Sequence, residues 1–552
     1  MDQSISITDV ITALQQIVSD PNLPTSQVQS RDASSATPGL ILPRDTPGLD
    51  QIQAQSNISK PLAAFAKSNP GPGSLQSLAG HLTRTILPNL NLASLSPNYY
   101  GFVIGGATPA ALLGDFLASI YDQNVHVHLP AETISTTVEA ATLNLLVQLF
   151  RLPREDWALA HPGRGNGGGI FTTGATASNT LGLALGREYV VRKALMKSAG
   201  AGTIESADQS VGECGLAELL IKAGRTKIQV LSTLPHSSIA KAASVVGIGR
   251  RNVVSVAVED DPLRIDMDRL RHEASRPEVL NILAISAGEV NTGRFATDSG
   301  STMRELRDIC DEYGVWMHVD GAFGLFGRVL LQSARDDAET YNEIIRGVEG
   351  LELADSITGD CHKLLNVPYD CGVFFTRHKR LSEDVFGNPG AAYLKAGSGD
   401  GVQSPLNIGL ENSRGFRALP VYCTLLNYGR EGYVDMLKRQ IDLARRVVRW
   451  LANDSRFEVL GPRKPHGETE TSLTVDEMVA KTFMIVLFRP RDDEVNKNFV
   501  KDVNATGKIY ISGTAWEGKP AARIAVSNWQ ADVQRDGDLI EAVLDQVAGK
   551  VS

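Results

Sequence analysis

Cysteine is scarce: Cys214, Cys310, Cys361, Cys371 and Cys423 are the only five in 552 residues. An odd, scattered set fits neither a disulfide framework nor tetrahedral zinc spacing. No run of ~18 apolar residues occurs, so no membrane-spanning helix is expected. The opening MDQSISITDVITALQQIVSD has no basic stretch and no continuous apolar run, so no secretory signal is expected. Positive charge is in the minority: 54 Lys and Arg against 63 Asp and Glu give net −9. That sign disfavours a partner held by many phosphate contacts, such as nucleic acid. No repeat of fixed period is visible. The expectation is a soluble, cytoplasmic protein with neither nucleic-acid nor membrane partners.

What is present is ample core material. Hydrophobic residues make up 42% of the chain, and at roughly 150 residues per domain the length suggests two to four domains. Val10 to Val18 reads as a short amphipathic helix. Asn22 to Gly73, rich in Ser, Pro, Gly and Gln, reads as an irregular arm ordered against a partner surface. Helical periodicity follows in SLQSLAGHLTRTIL, PAALLGDFLASIYDQ and ETISTTVEAATLNLLVQLF, with Thr133 and Ser135 as cap candidates. Short β-branched runs then alternate with helices: TKIQVLST, NVVSVAVE, NILAISAG, GVWMHVD and CGVFFTR. That alternation predicts βαβ units and a mainly parallel, buried sheet. From Leu419 a long helix, two strands (TFMIVLFRP, ARIAVSNW) and a last helix predict a smaller α+β domain. The division expected is 1–105 (arm and helical segment), 106–418 (large domain) and 419–552 (small domain).

Four segments carry chemistry. In DSITGDCHKLLNVPYDCGVFF, Lys363 stands between a polar turn and an apolar run, where long cations seldom sit. It either snorkels to the surface or forms a Schiff base, which needs an amine that can be neutral near pH 7. In VWMHVDGAFGLFG, Asp320 ends a strand, where α/β sheets place ligands. A metal there would want more ligands than His318, whereas pairing with a pyridinium nitrogen explains a single acid. The stretch GNGGGIFTTGATASNTLGLALGREY brings a glycine-rich turn to small hydroxyl residues at a helix start, suited to a phosphate. Gly163, Gly165 and Gly168 also match GxGxxG, with Glu188 downstream, but no strand precedes them and Glu188 sits in a helix. Dinucleotide binding needs both contexts. In STLPHSSIAKAASVVG, His236 either caps a helix or stacks on a flat cofactor.

Read in order, phosphate turn, histidine, aspartate and H-K lysine resemble the group II pyridoxal-phosphate-dependent amino acid decarboxylases of fold type I. These include the aromatic amino acid, tyrosine and glutamate decarboxylases. LPHSSIAKAA resembles the family's "AHSSxxKA", HVDGAFG its "HVDAAxGG", and YYGFVIGGATPAALLGDFLASIYDQ its substrate-entrance segment; ARIAVSNW resembles the small domain's closing strand. The resemblance implies an α/β, transferase-like fold: a large domain with a mainly parallel seven-stranded sheet, a smaller C-terminal α+β domain and an N-terminal helical arm. It implies pyridoxal 5′-phosphate as cofactor and an amino acid as substrate. It also implies a homodimer with the active site at the subunit interface. By position, Lys363 forms the Schiff base, Asp320 pairs with the ring nitrogen, Ala322 and His236 cover the two ring faces, and Thr176, Ala177 and His362 hold the phosphate. Arg417, in SRGFRALP, matches a family arginine with a structural role. Tyr393, in AAYLK, resembles the tyrosine of the family's "xxYLK" loop, which protonates Cα after CO2 leaves.

Two departures stand out. Where many members carry "GTTxxG", this chain has GEVNTG, so Val290 or Asn291 takes the place of a cofactor-side threonine. Where many carry "NPHK" it has DCHK, which sets Asp360 close to the phosphate. The D-x-H-K form also occurs in sphingosine-phosphate lyases, so a lyase or aldolase cleaving another Cα bond is the alternative to decarboxylation. A binding module without chemistry is disfavoured by the presence of Lys363, Asp320 and His236 together. Tyr99, Tyr100 and Phe102 are either core or pocket lining, and no basic cluster for a second carboxylate is visible. An aromatic substrate is therefore favoured over glutamate.

Overall fold

The computed structural model describes residues 7–20, 23, 41–43, 46–53, 75–159, 167–199, 209–331, 338–388, 401–461 and 473–549. The N-terminal helix spans Ile7–Val18. Within the expected arm Leu49–Gln53 is helical, and most of the rest lies outside the described residues.

Among the described residues, twelve strands form two sheets. In chain order they are β1 (Tyr99–Tyr100), β2 (Gly168–Thr172), β3 (Lys227–Ser232), β4 (Val253–Ser255), β5 (Val279–Ser286), β6 (Trp316–Asp320), β7 (Ser356–Asp360), β8 (Gly372–Thr376), β9 (Phe457–Leu460), β10 (Ile485–Pro490), β11 (Tyr510–Trp516) and β12 (Lys519–Ala525). The large sheet runs β2-β8-β7-β6-β5-β3-β4. Only β8 is antiparallel to its neighbours, so the mainly parallel seven-stranded sheet of the fold expectation is present. Strands β2, β6, β7 and β8 are buried throughout, as a sheet covered by helices on both faces requires. The second sheet runs β1-β11-β12-β10-β9, with β1 parallel to β11 and the other pairs antiparallel. Strand β1 thus ties chain that precedes the large sheet to strands near the C-terminus.

Several local expectations change. SITGD, which reads as a polar turn before Lys363, is the fully buried strand β7; its position between β6 and β8 overrides weak propensity. The glycine run does not open directly into a helix, because β2 intervenes. The helix Ser135–Leu149 begins after Ile134 with no side-chain cap. Thr133 Oγ1 accepts the Ser135 N–H at 3.3 Å, while the Ser135 hydroxyl has no partner. Tyr99 and Tyr100 are core, with Tyr99 stacked on Tyr510 at 4.6 Å. The long C-terminal helix spans Ala418–Asn453, broken at Gly429, whose φ of 58° is left-handed.

The helix Ala175–Ala199 lies against the large sheet. It approaches closely because Gly182 has no side chain: a Cβ there would stand 2.4 Å from the His318 ring.

Candidate active site

Strands β5, β6 and β7 end side by side, with Ser286 opposite Asp320 and Asp320 opposite Thr358. Beyond these C-terminal ends opens a cleft of ≈ 600 Å³, closed on its other side by Phe102, Ser512, Thr514 and Arg523. This is where an open α/β sheet offers a ligand site. The cleft gathers Lys363, Asp320, His236, Ala322, Thr176, Ala177, His362 and Asn291. Tyr393 lies outside the described residues. Arg417 does not line the cleft and instead donates from Nε to Asp370 at 2.8 Å.

The short helix Cys361–Leu364 follows β7 directly and carries Lys363. The Lys363 ammonium lies 3.0 Å from Asp360 Oδ2 and 5.9 Å from the Phe323 ring centre. Asp360 Oδ1 in turn accepts the backbone N–H of Ala175, at the start of the helix Ala175–Ala199. His362 accepts the Cys371 N–H at Nδ1 and lies against the Tyr369 ring, tilted by 33° at 4.4 Å between centres. Burial holds its pKa below the ordinary histidine range.

Asp320 is held by a chain of hydrogen bonds whose direction the donors decide. The Trp316 indole N–H can only donate, and reaches Ser356 Oγ at 3.2 Å. The Asp320 carboxylate accepts from Asn179 Nδ2, which turns Asn179 Oδ1 to His318 Nε2–H (2.9 Å) and leaves Nδ1 of the neutral ring to accept the Ser356 hydroxyl proton (2.8 Å). Complete burial lowers the His318 pKa to about 4, so the ring is neutral and can make both bonds. The Asn179 amide then donates to Asp320 Oδ2 (2.9 Å) and Ser238 Oγ (3.0 Å). Ser238 passes its hydroxyl proton to His236 Nδ1 at 2.8 Å, and its backbone N–H meets the same nitrogen at 3.2 Å. Since a backbone N–H only donates, His236 Nδ1 is an acceptor and the ring proton sits on Nε2.

The small-sheet wall differs. Arg523 on β12 is buried, donating from Nε to Val290 O (2.6 Å) and from Nη1 to Phe102 O (2.9 Å). Its Nη2 is buried without a partner. Desolvation lowers its pKa to about 10, which still leaves a full charge at neutral pH. Phe102 itself adopts a left-handed φ of 54°, a conformation that costs energy in a non-glycine residue. Glu289, also buried, is spent on its own turn, accepting from Asn291 and Thr292. Asn291 accepts the Thr514 hydroxyl at 3.0 Å.

These residues fit a phosphorylated pyridine cofactor. N–H groups in a first helical turn have no intrahelical carbonyl to bond, and Thr176 and Ala177 occupy that turn beside His362. Asp320 presents a fixed carboxylate deeper in the cleft. Sequence reasoning missed Asn179 and Arg523. Asn179 is hidden in a run of small residues, and Arg523 lies within ARIAVSNW, which reads only as a closing strand. The dinucleotide motif is also accounted for. Gly163 and Gly165 lie outside the described residues, Gly168 opens β2 rather than a helix, and Glu188 pairs with Arg192 at 2.6 Å inside its helix.

Residues 61–468 match the family model described as "Pyridoxal-dependent decarboxylase conserved domain". The chain is 27% identical over 408 residues to L-2,4-diaminobutyrate decarboxylase of Acinetobacter baumannii, covering 70% of this chain and 72% of that one. It is 23% identical to aromatic-L-amino-acid decarboxylase of Catharanthus roseus, covering 86% and 85%. Among solved structures, an Oryza sativa TDC with PLP and tryptamine matches the whole of both chains with a TM-score of 0.74 at 20% identity.

Proposed function

The chain belongs to the pyridoxal-dependent decarboxylase family, carboxy-lyases that use pyridoxal 5′-phosphate, and on that premise we propose that it decarboxylates an aromatic L-amino acid to the amine and CO2. The cofactor, once bound, supplies the electron sink for the bond broken at Cα. The observation that carries the substrate reading is Arg523. It offers one unpaired guanidinium nitrogen, enough for one carboxylate, and among the described residues the other basic side chains lining the cleft are Lys363, His236 and His362. With Arg523 holding the α-carboxylate, no cation is left for an acidic side chain. Phe102, Val103, Ile104 and Tyr369 leave an apolar surface for a ring. The reading assigns Lys363 as the lysine bonded to the cofactor, Asp320 as the carboxylate that keeps the ring nitrogen protonated, and Ala322 and His236 to the ring faces. Thr176, Ala177 and His362 hold the phosphate, with Asn291 at the rim, and Tyr393 delivers the proton to Cα.

The same reading takes the chain as a cytoplasmic homodimer with the cleft at the interface, built from the 1–105, 106–418 and 419–552 segments. Leu113, Phe116 and Ile120 support it: they stand exposed at helical spacing on Pro109–Tyr121, an apolar row of the kind a partner covers. A screen of common L-amino acids, measuring CO2 and amine, tests the proposal. It stands if tryptophan, tyrosine or phenylalanine is turned over best. Preference for glutamate or diaminobutyrate would reassign Arg523 or the apolar wall, and aldehyde without CO2 would favour cleavage of another Cα bond.

A further inference from the structure

Asp360 stands where the cofactor's phosphate has to be held. Its carboxylate is buried (3% exposed) and takes the Ala175 N–H at 2.6 Å. Ala175 is the first residue of the helix whose next two, Thr176 and Ala177, offer their free N–H groups to the cleft. Gly174 borders the same corner: a Cβ there would make ordinary contact with the His362 ring (3.4 Å) and Asp360 Oδ1 (3.6 Å). A phosphate on this helix start therefore meets a carboxylate already seated on it.

The groups facing Asp360 decide how that conflict resolves. Lys363 Nζ lies 3.0 Å and His362 Nε2 3.7 Å away. Tyr369 and the buried Cys361 thiol also feel its charge, and the first helical turn, Ala175 to Ala177, has no titratable side chain. Among the described residues Lys363 is the one cation in contact, and its nitrogen is the atom that the cofactor's aldehyde takes up. His362, neutral through burial, gives no second cation. Resting on the pyridoxal-phosphate reading of this cleft, we propose that Asp360 shares a proton with the cofactor's phosphate, so that this chain takes up one proton when the phosphate enters. In the cofactor-free protein the same carboxylate caps the helix and pairs with Lys363. Asp360 is thus a positioning residue that makes cofactor retention depend on pH, with tighter binding on the acid side.

Calorimetry of cofactor-free protein in two buffers of different ionisation enthalpy counts the protons. The ligands are pyridoxal 5′-phosphate and 5′-deoxypyridoxal, which keeps the aldehyde and lacks the phosphate. At about pH 8 the wild type should take up about one more proton with the phosphorylated ligand. In Asp360→Asn that excess should vanish. The ratio of wild-type to variant dissociation constants should rise on the order of a hundredfold between about pH 6 and about pH 8. Equal proton counts for the two ligands in the wild type overturn the proposal, even if the variant does not fold. An excess that persists in Asp360→Asn also overturns it, by moving the proton to another group. Failure of the wild type to bind pyridoxal 5′-phosphate at all would instead sink the reading on which it rests.

Discussion

On the large-sheet wall of the cleft, Asp320, Asn179, Ser238 and His236 are joined by hydrogen bonds that run back to Trp316. On the small-sheet wall, Arg523 keeps one buried nitrogen unpaired and Phe102 holds a left-handed backbone. The first arrangement is complete before any ligand arrives, which suits a resident cofactor whose ring must be held in one orientation. The second leaves a charge-assisted bond to be made, and a buried donor without a partner is costly until something accepts from it. On the proposed reading the contrast divides the labour: the parallel sheet would orient the cofactor, and the smaller sheet would take the substrate.

Asp320→Asn attacks the completed wall and should have the largest effect. The amide cannot keep a ring nitrogen protonated, so kcat should fall on the order of 10² or more while the cofactor remains bound through its phosphate. Steady-state kinetics with a cofactor absorbance check reads both. Arg523→Gln attacks the other wall. Loss of a charge-assisted hydrogen bond of about 1.5–3 kcal/mol should lower kcat/KM on the order of ten- to a hundredfold, mainly through KM. Borohydride labelling should be unchanged; loss of labelling would erase the division. Asn179→Ala removes the amide that bonds Asp320 directly and His236 through Ser238. A decline in kcat of about tenfold is expected, together with a shifted pH titration of the cofactor's absorbance. Ser238→Ala, which cuts only the His236 arm, should leave that titration in place.

His318 makes stability depend on pH. Its folded pKa of about 4 lies below the ordinary 6.5, so the unfolded chain takes the proton first as pH falls. Its contribution is complete above about pH 6.5 and is lost towards pH 4, about 3 kcal/mol in all. Denaturant midpoints across that window should decline less steeply in His318→Gln than in the wild type.

Much of the site is legible in the amino-acid sequence alone. Lys363, Asp320, His236 and the Thr176–Ala177 turn sit next to strand ends, and strand ends announce themselves through β-branched runs such as NILAISAG. What stays hidden depends on contacts between distant segments. SITGD has too little apolar character to read as a strand, and becomes one because β6 and β8 flank it. Arg523 in ARIAVSNW looks like any strand cation until burial against Val290 and Phe102 shows which nitrogen is left over. Asn179 carries no signal in its neighbours, since its partners lie 59 and 141 residues further along the chain.

The central claim is that Lys363, just beyond the end of β7, is the residue bonded to the cofactor. Borohydride reduction of the cofactor-loaded protein followed by peptide mass spectrometry tests it directly. One reduced pyridoxyl-phosphate group on Lys363 is the expected result. Labelling of another lysine, such as Lys241, or no label on a protein that still turns over amino acid, would contradict it.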